Sequence, residues 1–470
     1  MDEKPQHIFL VVLAHEADEA HDALKAIPRP TLERFAEIVV VLPSDPDSSA
    51  AGPGLDIHPR TTVLRVDPRE GPGIRFRIGL ACVEKSRGDV ALVISGHGLA
   101  GSQAISPMLD ALLDSPSDII VACRPPPSVL LHPFSSILRW LTKIPLSDFS
   151  SGVRACRLGA LRDLPFRHNT DREHFDIELL LQAKAAGKSI AAVKVPWHAH
   201  PGCSPFFKNL TSIHSLVSIA QYRANRLSLI YHRKFDFLKD EDRYIFKKEP
   251  TSLHQHVLKH PIAPNNLVVE LGAGQGHISR FFSSRGARVV AMDQKRPCGD
   301  FPFPYSACDL EQPFADAFVR EHGPCDCVIM LDVVEHMADP ERLMEQVWKL
   351  LKPEGVLLLS TANIAYLPIR LMLAFGLFNY GRRGILDMTH RRLFTLKSLG
   401  RLLKDAAFRP EQWRGFGPPI ADLIGRSPIL RLLDRLAAAA AACWPSLFAY
   451  QILVVAQRRE GLDDVLAKPR

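Results

Sequence analysis

Short apolar runs alternate with longer segments of helical period along most of the chain. In the first half these runs occupy residues 8–12, 37–41, 62–66, 90–94 and 118–122. In the second half they occupy residues 268–271, 287–292, 327–331, 356–360 and 447–455. Strands that alternate with helices pair in parallel and are covered on both faces. The pattern therefore predicts an α/β protein whose two halves each contain a mostly parallel sheet.

The boundary between the halves is predicted from a change of pattern near residue 232. Residues 210–231 have the period of an amphipathic helix, and charged residues are frequent from 233 to 248. We therefore predict a first domain at 1–232, a linker at 233–250 and a second domain at 251–470. The length of 470 residues fits this division, because domains commonly hold about 100–200 residues.

A loop with almost no side chains follows the first apolar run of the second half. Gly272, Gly274 and Gly276 form a G-x-G-x-G pattern there, which lets an adenosine-bearing cofactor approach the backbone. A dinucleotide fingerprint needs a third glycine where His277 stands, so a dehydrogenase is the weaker alternative. Asp293 ends the next predicted strand and can accept hydrogen bonds from ribose hydroxyls in either cofactor class.

These segments, with Cys308-Asp309-Leu310-Glu311, the run 327–336 and the strand 356–360, resemble the class I S-adenosylmethionine-dependent methyltransferases in order and spacing. The resemblance implies a Rossmann-like seven-stranded sheet with S-adenosylmethionine as cofactor. It implies that the following residues bind the cofactor: Glu270, Gly272, Gly274, Gly276, Asp293, Asp309, Leu310 and Asp332. All of them follow or end strands, where ligands of parallel sheets bind.

Two histidines are candidates for the base that takes a proton from a methyl acceptor. His336 follows the predicted strand 327–331, and His390 lies in residues 384–395, which resemble the acceptor side of ubiquinone O-methyltransferases. Transfer to a hydroxyl needs a base near the methyl group, and imidazole suits that role near neutral pH. Alternatively, His336 caps or packs on the next helix, and His390 orders its loop by bonding to the backbone.

Two apolar segments of the second half bear on membrane contact. Residues 367–378, flanked by Arg382 and Arg383, fit either a lid over a lipid-linked substrate or a buried helix, and we favour the buried helix. Residues 436–455 are long enough to span a membrane. Pro445 interrupts them, however, and their end fits the final strand of the sheet, so a membrane-spanning helix is not predicted.

The first half resembles a different family. Residues 71–80, 88–90, 148–157, 175–179, 187–190 and 193–196 resemble segments of the family 2 glycosyltransferases of GT-A type, particularly the polyprenyl-phosphate sugar synthases. The resemblance implies a GT-A-like α/β domain that takes a nucleotide sugar. It implies that the following residues bind the substrate: Arg75, Arg77, Asp148, Arg154 and Glu178. The arginines, with Arg157, either bind phosphate in forked geometry or solvate helix faces.

This half departs from the glycosyltransferase pattern where the chemistry takes place. Such domains carry D-x-D after the fourth strand, because two carboxylates hold the cation that neutralises the diphosphate. Residues 93–98 read Val-Ile-Ser-Gly-His-Gly instead, and the acidic pair usual after the second strand appears as Leu-Pro-Ser-Asp at 42–45. We predict no metal site. The domain either transfers sugar without metal or is a noncatalytic binding module, and we favour the second.

Composition and net charge limit the kinds of molecule that the protein is expected to bind. A net charge of +7 over this length is too diffuse to predict nucleic-acid binding, although it suits a phosphate-bearing substrate or an anionic membrane surface. The nine cysteines form no C-x-x-C pair, and Cys325 and Cys327 are expected as reduced, buried residues on one face of a strand. No signal peptide is recognisable. We expect a cytoplasmic protein, with contact to the inner face of the membrane as an option.

The combined expectation is a methyltransferase that modifies a hydroxyl of a saccharide or glycolipid intermediate. It is fused to a glycosyltransferase-like domain, so its partners would be a small-molecule or lipid-linked sugar acceptor and a nucleotide sugar. One alternative is an active bifunctional glycosyltransferase/methyltransferase. Another is a noncatalytic protein that holds a glycan or polyprenyl phosphate for a separate enzyme.

Overall fold

A computed structural model of the chain describes residues 7–44, 59–95, 103–124, 132–149, 151–172, 174–195, 213–237, 246–247, 249–421 and 427–461. The chain divides into two compact units. Unit 1 comprises residues 1–226 and 231–238, and unit 2 comprises residues 227–230 and 239–470. Both units are α/β, as the alternating pattern predicts, and both contain a seven-stranded sheet.

The strands of unit 1 are β1 (Ile8–Leu13), β2 (Glu37–Pro43), β3 (Thr61–Val66), β4 (Val90–Ser95), β5 (Ile119–Cys123), β6 (Val153–Arg157) and β7 (Ile190–Lys194). Their order in the sheet is β3-β2-β1-β4-β6-β5-β7. Strand β6 is antiparallel to both β4 and β5, and the other pairs are parallel. The order reverses between β1 and β4, and such a switch point opens a crevice at the carboxyl ends of the strands.

The helices of unit 1 are α1 (Ala17–Lys25), α2 (Arg29–Leu32), α3 (Pro72–Lys85), α4 (Ile105–Asp114), α5 (His132–Thr142), α6 (Leu158–Leu161), α7 (Phe175–Ala185) and α8 (Ile213–Arg226). Alternate side chains of β1 enter two different cores, because successive residues of a strand point to opposite faces. Phe9 and Val11 pack with residues of α3 and α7, whereas Leu10 and Val12 pack with residues of α1 and α4. The described part of unit 1 also contains the 3₁₀ helices Phe166–His168 and Arg233–Phe235.

The strands of unit 2 are β8 (Leu267–Leu271), β9 (Arg288–Asp293), β10 (Tyr305–Ala307), β11 (Cys325–Leu331), β12 (Leu351–Ala362), β13 (Phe408–Phe416) and β14 (Gln451–Arg458). Their order in the sheet is β10-β9-β8-β11-β12-β14-β13. Strand β14 is antiparallel to both of its neighbours, and the other pairs are parallel. The order reverses between β8 and β11, so the glycine loop after β8 lies at a switch point.

The helices of unit 2 are α9 (Leu253–Val257), α10 (His277–Ser284), α11 (Ala315–His322), α12 (Pro340–Leu350), α13 (Leu367–Ala374), α14 (Leu396–Asp405), α15 (Pro428–Cys443) and α16 (Pro445–Phe448). A 3₁₀ helix, Val334–His336, follows β11. Among the described parts of the chain, no helix is both long enough and apolar enough to cross a membrane. Residues 436–455 instead form the end of α15, all of α16 and the start of β14.

The preference for a buried helix at residues 367–378 is wrong. None of the residues of α13 is buried, and Phe375, directly after it, is 79% exposed. The apolar side chains of residues 367–378 therefore do not pack in a core. They leave an apolar surface, which includes Leu371, Leu373, Phe375, Leu377, Phe378 and Tyr380.

The expectation that Cys325 and Cys327 share one face of their strand is also wrong. Both are buried in β11, as expected, and both are free cysteines. A register shift against β12 lies between them, and such an irregularity changes which face a side chain enters. Cys325 packs with Val328 and Met330, whereas Cys327 packs with Ile329 on the other face.

Candidate functional site

The glycine loop between β8 and α10 has left-handed backbone angles at all three glycines. The angle φ is +71° at Gly272, +53° at Gly274 and +69° at Gly276. Residues with a Cβ atom resist these angles, so the G-x-G-x-G pattern follows from the path of the loop. The N–H groups of Gly272 and Ala273 donate to the carbonyl oxygen of Met292 at 2.8 and 3.1 Å. These bonds fix the loop to the end of β9.

Glu270 is buried in β8 and joins that strand to α10. Its Oε2 accepts hydrogen bonds from the backbone N–H of Ser279, at 2.9 Å, and from the Ser279 hydroxyl. Burial raises the pKa of Glu270 to about 7, Asp293 adds to the rise, and the Ser279 bonds oppose it. The contacts of Glu270 thus hold the glycine loop and the start of α10 together.

Asp293 ends β9 and faces the glycine loop. Its Oδ2 accepts a hydrogen bond from the N–H of Gly274 at 2.8 Å. The hydroxyl of Tyr305, on the neighbouring strand β10, donates to the carbonyl oxygen of Gly274 at 2.8 Å. The central glycine of the loop is therefore held from two strands, and the half-buried carboxylate lies beside it.

The predicted acidic turn at Asp309 follows β10 and lies beside the end of β9. The N–H of Cys308 donates to the carbonyl oxygen of Asp293 at 2.7 Å. Asp309 is exposed, and its Oδ1 accepts the N–H of Glu311 at 3.0 Å. Leu310 is buried in the core of unit 2. The turn thus places an exposed carboxylate next to Asp293.

Asp332 follows β11 with a φ of +53° and is held by its neighbours on β12 and β14. Its Oδ1 accepts the hydroxyl of Ser360 at 2.9 Å, and its Oδ2 accepts the side-chain amide of Gln451. This turn touches the glycine loop, because a Cβ added at Gly272 would lie 2.4 Å from Cγ2 of Val333. Three strand ends therefore meet at one edge of the sheet.

The two candidate histidines lie against each other at the same edge. Their ring centroids are 4.8 Å apart and the rings are inclined at 74°. The Nδ1 of His336 lies 3.3 Å from the carbonyl oxygen and 3.2 Å from the hydroxyl of Thr389. That hydroxyl lies 2.7 Å from Oδ1 of Asp387. The Nδ1 of His390 lies 2.9 Å from the carbonyl oxygen of Ile385.

Glu335 is a buried acid of this edge to which the sequence assigned no role. It is 1% exposed, and its Oε1 accepts the N–H of Ala362 at 3.2 Å. Its carbonyl oxygen accepts the N–H groups of Arg391 and Arg392 at 2.8 and 3.0 Å. Burial, and then the nearby Asp332, raise the pKa of Glu335 to about 8. Glu335 thereby ties the turn after β11 to the segment that carries His390.

In unit 1, the arginines predicted to bind phosphate are engaged by protein groups. Arg75 is buried, and its Nη1 donates to the carbonyl oxygen of Ala14 at 2.6 Å. Arg77 forms an ion pair with Asp171. Arg157 donates to three carbonyl oxygens, at 2.8 to 3.1 Å. These side chains neither solvate helix faces nor present unengaged guanidinium groups.

The remaining predicted residues of unit 1 also have charged partners. Asp148 accepts two hydrogen bonds from the guanidinium group of Arg124, at 2.6 and 3.1 Å, and a third from its backbone N–H at 3.3 Å. Arg154 is 1% exposed and forms an ion pair with Asp176. Burial raises the pKa of Asp176, and Arg154 opposes that rise.

Glu178 is buried in α7, and both oxygens of its carboxylate contact the same lysine. Lys234 lies 2.9 Å from each oxygen of the carboxylate, and the N–H of Thr170 donates to Oε2 at 2.8 Å. Residues 96–98, which replace the D-x-D motif, and Asp45 lie outside the described residues. Within the described ranges, no group of three His, Cys, Asp or Glu side chains is arranged to hold a metal ion.

Comparison with known proteins bears on the second unit. Residues 241–412 match a family model described as "Methyltransferase domain". The ubiquinone biosynthesis O-methyltransferase of Dinoroseobacter shibae is 29% identical over 157 residues, which are 32% of this chain and 62% of that protein. A probable S-adenosylmethionine-dependent methyltransferase of Mycolicibacterium smegmatis is 27% identical over 196 residues, 40% of this chain and 68% of that protein.

Other relatives match over shorter regions. The ubiquinone biosynthesis O-methyltransferase of Pseudomonas aeruginosa strain UCBPP-PA14 is 31% identical over 106 residues, 20% of this chain and 44% of that protein. The chain thus spans about half to two thirds of the length of these curated relatives. A solved methyltransferase structure from Mesorhizobium loti aligns with 44% of this chain and 97% of its own, at 20% identity and a TM-score of 0.30.

The residues at this edge of unit 2 fit an adenosine-bearing sulfonium cofactor. The loop at Gly272, Gly274 and Gly276 offers backbone without side chains, as close approach of an adenosine requires. Asp293, Asp309 and Asp332 supply carboxylate oxygens for hydroxyl and amine donors, and their charge suits a cation. The second unit therefore carries a class I S-adenosylmethionine-dependent methyltransferase domain, and S-adenosylmethionine is its cofactor.

Proposed function

We propose that unit 2 transfers the methyl group of S-adenosylmethionine to a hydroxyl of a saccharide or glycolipid. The observation that carries this proposal is the pair of histidines, His336 and His390, at the edge that also holds the glycine loop. A hydroxyl acceptor must lose its proton, and imidazole is the side chain best matched to accept it near neutral pH. The O-methyltransferase names of the ubiquinone relatives support the choice of an oxygen acceptor.

The roles of the residues follow from their positions. The cofactor supplies an electrophilic methyl group on a positively charged sulfur. The glycine loop and Asp293 would orient its adenosine, and Asp332 would contribute negative charge near its cationic centre. One of the two histidines would accept the proton of the hydroxyl. Orientation of two reactants in one site can supply about 7–11 kcal/mol of the barrier, so positioning carries much of the rate.

The exposed apolar surface at and after α13 supports a lipid-linked acceptor and contact with a membrane. Its apolar side chains extend from Leu371 to Tyr380, and the exposed Arg370 directly precedes them. An apolar face beside cationic side chains favours an anionic membrane surface. We therefore propose that the protein acts at the inner face of a membrane that holds its acceptor, and we keep the expectation of a cytoplasmic protein.

For unit 1 we propose a glycan- or polyprenyl-phosphate-binding module without metal-dependent transfer. The arginines at 75, 77 and 154 already bind protein groups, so they would have to exchange partners to hold a diphosphate. Close packing also explains why the glycosyltransferase-like segment contains glycine. A Cβ at Gly73 would lie 2.2 Å from the carbonyl oxygen of Thr170. The switch point between β1 and β4 remains the place where a ligand of this unit would bind.

Calorimetric titration of the whole protein with S-adenosylhomocysteine, NAD and a panel of nucleotide sugars tests these assignments together. We expect S-adenosylhomocysteine to bind and NAD not to bind. Gly274→Val should abolish that binding, because its side chain would occupy the loop surface. Gly376→Val is the matched control, since Gly376 also has a positive φ, of +70°, but no atom lies within 4 Å of its added Cβ.

Methylation is then measured with a panel of saccharides and polyprenyl-phosphate sugars. His336→Ala or His390→Ala should lower turnover by about 10²–10⁴-fold, the usual contribution of a general base, with cofactor affinity nearly unchanged. Binding of NAD in preference to S-adenosylhomocysteine would reject the methyltransferase proposal. Methylation that neither substitution slows would reject a histidine base.

A further inference from the structure

We infer that Asp387 and Thr389 act as positioning residues that make Nε2 of His336 the proton acceptor. The inference rests on the proposed methylation of a hydroxyl and specifies how its base is held. It chooses between the two histidines that the sequence left as alternatives. It also assigns a role to two residues for which the sequence indicated none.

The first step concerns which nitrogen of His336 carries the proton. Nδ1 lies 3.3 Å from the carbonyl oxygen of Thr389. A carbonyl oxygen only accepts hydrogen bonds, so Nδ1 must donate and must therefore be protonated. In the neutral ring the lone pair is then on Nε2. The backbone at Thr389 thus selects the tautomer in which Nε2 can accept a proton.

The second step concerns the hydroxyl of Thr389. Oδ1 of Asp387 lies 2.7 Å from this hydroxyl and 2.8 Å from the N–H of the same threonine. The hydroxyl has one proton, which it donates to the carboxylate, so its lone pair faces Nδ1 of His336 at 3.2 Å. Nδ1–H of the imidazole thus donates to the Thr389 hydroxyl, and that hydroxyl donates to the Asp387 carboxylate. A carboxylate that is 9% exposed thereby stabilises a positive charge on His336.

The third step separates the roles of the two histidines. Nδ1 of His390 lies 2.9 Å from the carbonyl oxygen of Ile385, so this ring has the same tautomer, whereas the hydrogen-bonded path through the Thr389 hydroxyl to Asp387 leads to His336. Burial lowers the pKa of His390, the adjacent His336 lowers it further, and the Ile385 hydrogen bond, Asp387 and Asp332 oppose this lowering. Two imidazoles 4.8 Å apart hold one proton more readily than two. His336 accepts the proton, and His390 remains its neutral neighbour.

Other charged and titratable groups belong to the elements packed around this pair. They are Glu311, Asp332, Glu335, Arg391 and Arg392. Arg391 lies 3.4 Å from Glu311, and Arg392 lies 3.5 Å from Glu341. Each of these arginines has an acidic partner that compensates its charge. Neither arginine therefore disfavours a proton on His336.

The test is nuclear magnetic resonance of the full chain labelled with ¹⁵N-histidine, in the absence of any acceptor. Long-range proton–nitrogen correlations distinguish the two neutral tautomers, and the His336→Gln variant identifies the signals of His336. We expect His336 as the Nδ1–H tautomer. Thr389→Val should move the Nδ1 proton resonance of His336 upfield, because the hydroxyl that accepts a hydrogen bond from Nδ1 is lost. Thr389→Ser, which keeps the hydroxyl, should restore the wild-type resonance, and Asp387→Asn, which removes the carboxylate behind that hydroxyl, should also shift it.

The outcomes separate this inference from the proposed function. An Nε2–H tautomer of His336 in the wild-type protein overturns the inference whether or not the Thr389 and Asp387 variants fold. An equal Nδ1 proton resonance of His336 in the Thr389→Val and Thr389→Ser proteins also overturns it. If the resonance results hold but His336→Ala methylates the saccharide panel at the wild-type rate, the positioning of the ring stands and its use as a base is rejected.

Discussion

Gly272→Ala should destabilise unit 2 through two separable effects, backbone strain and a clash with Val333. The φ of +71° is left-handed, which costs a residue with a Cβ about 1–2 kcal/mol. The added Cβ would lie 2.4 Å from Cγ2 of Val333, and forcing an extra carbon into a packed site costs about 1–3 kcal/mol. We therefore expect a total loss of about 2–5 kcal/mol in the free energy of unfolding.

Gly376→Ala isolates the backbone effect. Gly376 has a φ of +70° in the same unit, and no atom lies within 4 Å of the Cβ it would gain. Its substitution should cost only the strain, about 1–2 kcal/mol. The difference between the two variants then measures the contact with Val333.

Urea unfolding followed by tryptophan fluorescence gives each free energy, and Val333→Ala completes a double-mutant cycle with Gly272→Ala. Removal of the valine methyl groups should relieve the clash, so the double variant should be more stable than additivity predicts by about 1 kcal/mol or more. If Gly272→Ala lowers the free energy of unfolding no more than Gly376→Ala does, the turns after β8 and β11 do not approach each other as closely as described. If the cycle is additive, the clash is not with Val333.

Three further predictions concern the cofactor, the metal dependence and the buried acid. Asp293→Ala should weaken S-adenosylhomocysteine binding by about 1.5–3 kcal/mol, the range for hydrogen bonds to a charged group; unchanged calorimetric affinity would contradict its assignment. Manganese or magnesium should leave nucleotide-sugar affinity of the whole protein nearly unchanged, and a tenfold gain, about 1.4 kcal/mol, would show that other acids hold a metal. Because the pKa of Glu335 is raised by folding to about 8, its stabilising contribution is complete below about pH 4.5 and is lost as the pH rises through about 8. Glu335→Gln should therefore gain at least about 2 kcal/mol of unfolding free energy relative to wild type between pH 5 and pH 8.5, whereas the exposed control Glu345→Gln should show no such change in urea titrations at the two pH values.

The strands with continuous apolar sequence were predictable, and the irregular ones were not. The runs at β1, β2, β4, β8 and β11 are buried on both faces, so their composition is mainly apolar, with isolated polar residues at Glu37, Ser95, Glu270 and Asp326. Strand β13 lies at the edge of its sheet and mixes buried residues with exposed charged ones and a half-buried proline. Nothing in that segment distinguishes it from a loop by periodicity.

Strand β6 escaped prediction for a different reason. It lies in the middle of its sheet but carries Arg154 and Arg157, which are unusual in a buried strand. Arg154 is tolerated because Asp176, on α7, supplies the opposite charge. That partner is 22 residues away in the sequence, and periodicity within one segment does not reveal it.

In the candidate site, too, contacts between residues that are distant in the sequence could not be predicted. The acid and glycine positions after β8, β9 and β11 were predictable, because ligands of parallel sheets bind where strands end. The contact of His336 with Thr389 joins residues 53 apart in the sequence. Sequence indicated that both segments belong to the acceptor side, but only the folded chain shows which hydroxyl lies against which ring.

The position of β14 has a consequence for how unit 2 is completed during synthesis. Strand β14 lies between β12 and β13, although it follows both of them in the chain. Until residues 451–458 have left the ribosome, β12 and β13 both lack β14, with which each pairs in the finished sheet, although β12 can already pair with β11. Unpaired strand edges of this kind attract other chains. A nascent chain halted before residue 451 would therefore expose an open sheet, and we expect such fragments to aggregate or to require a chaperone.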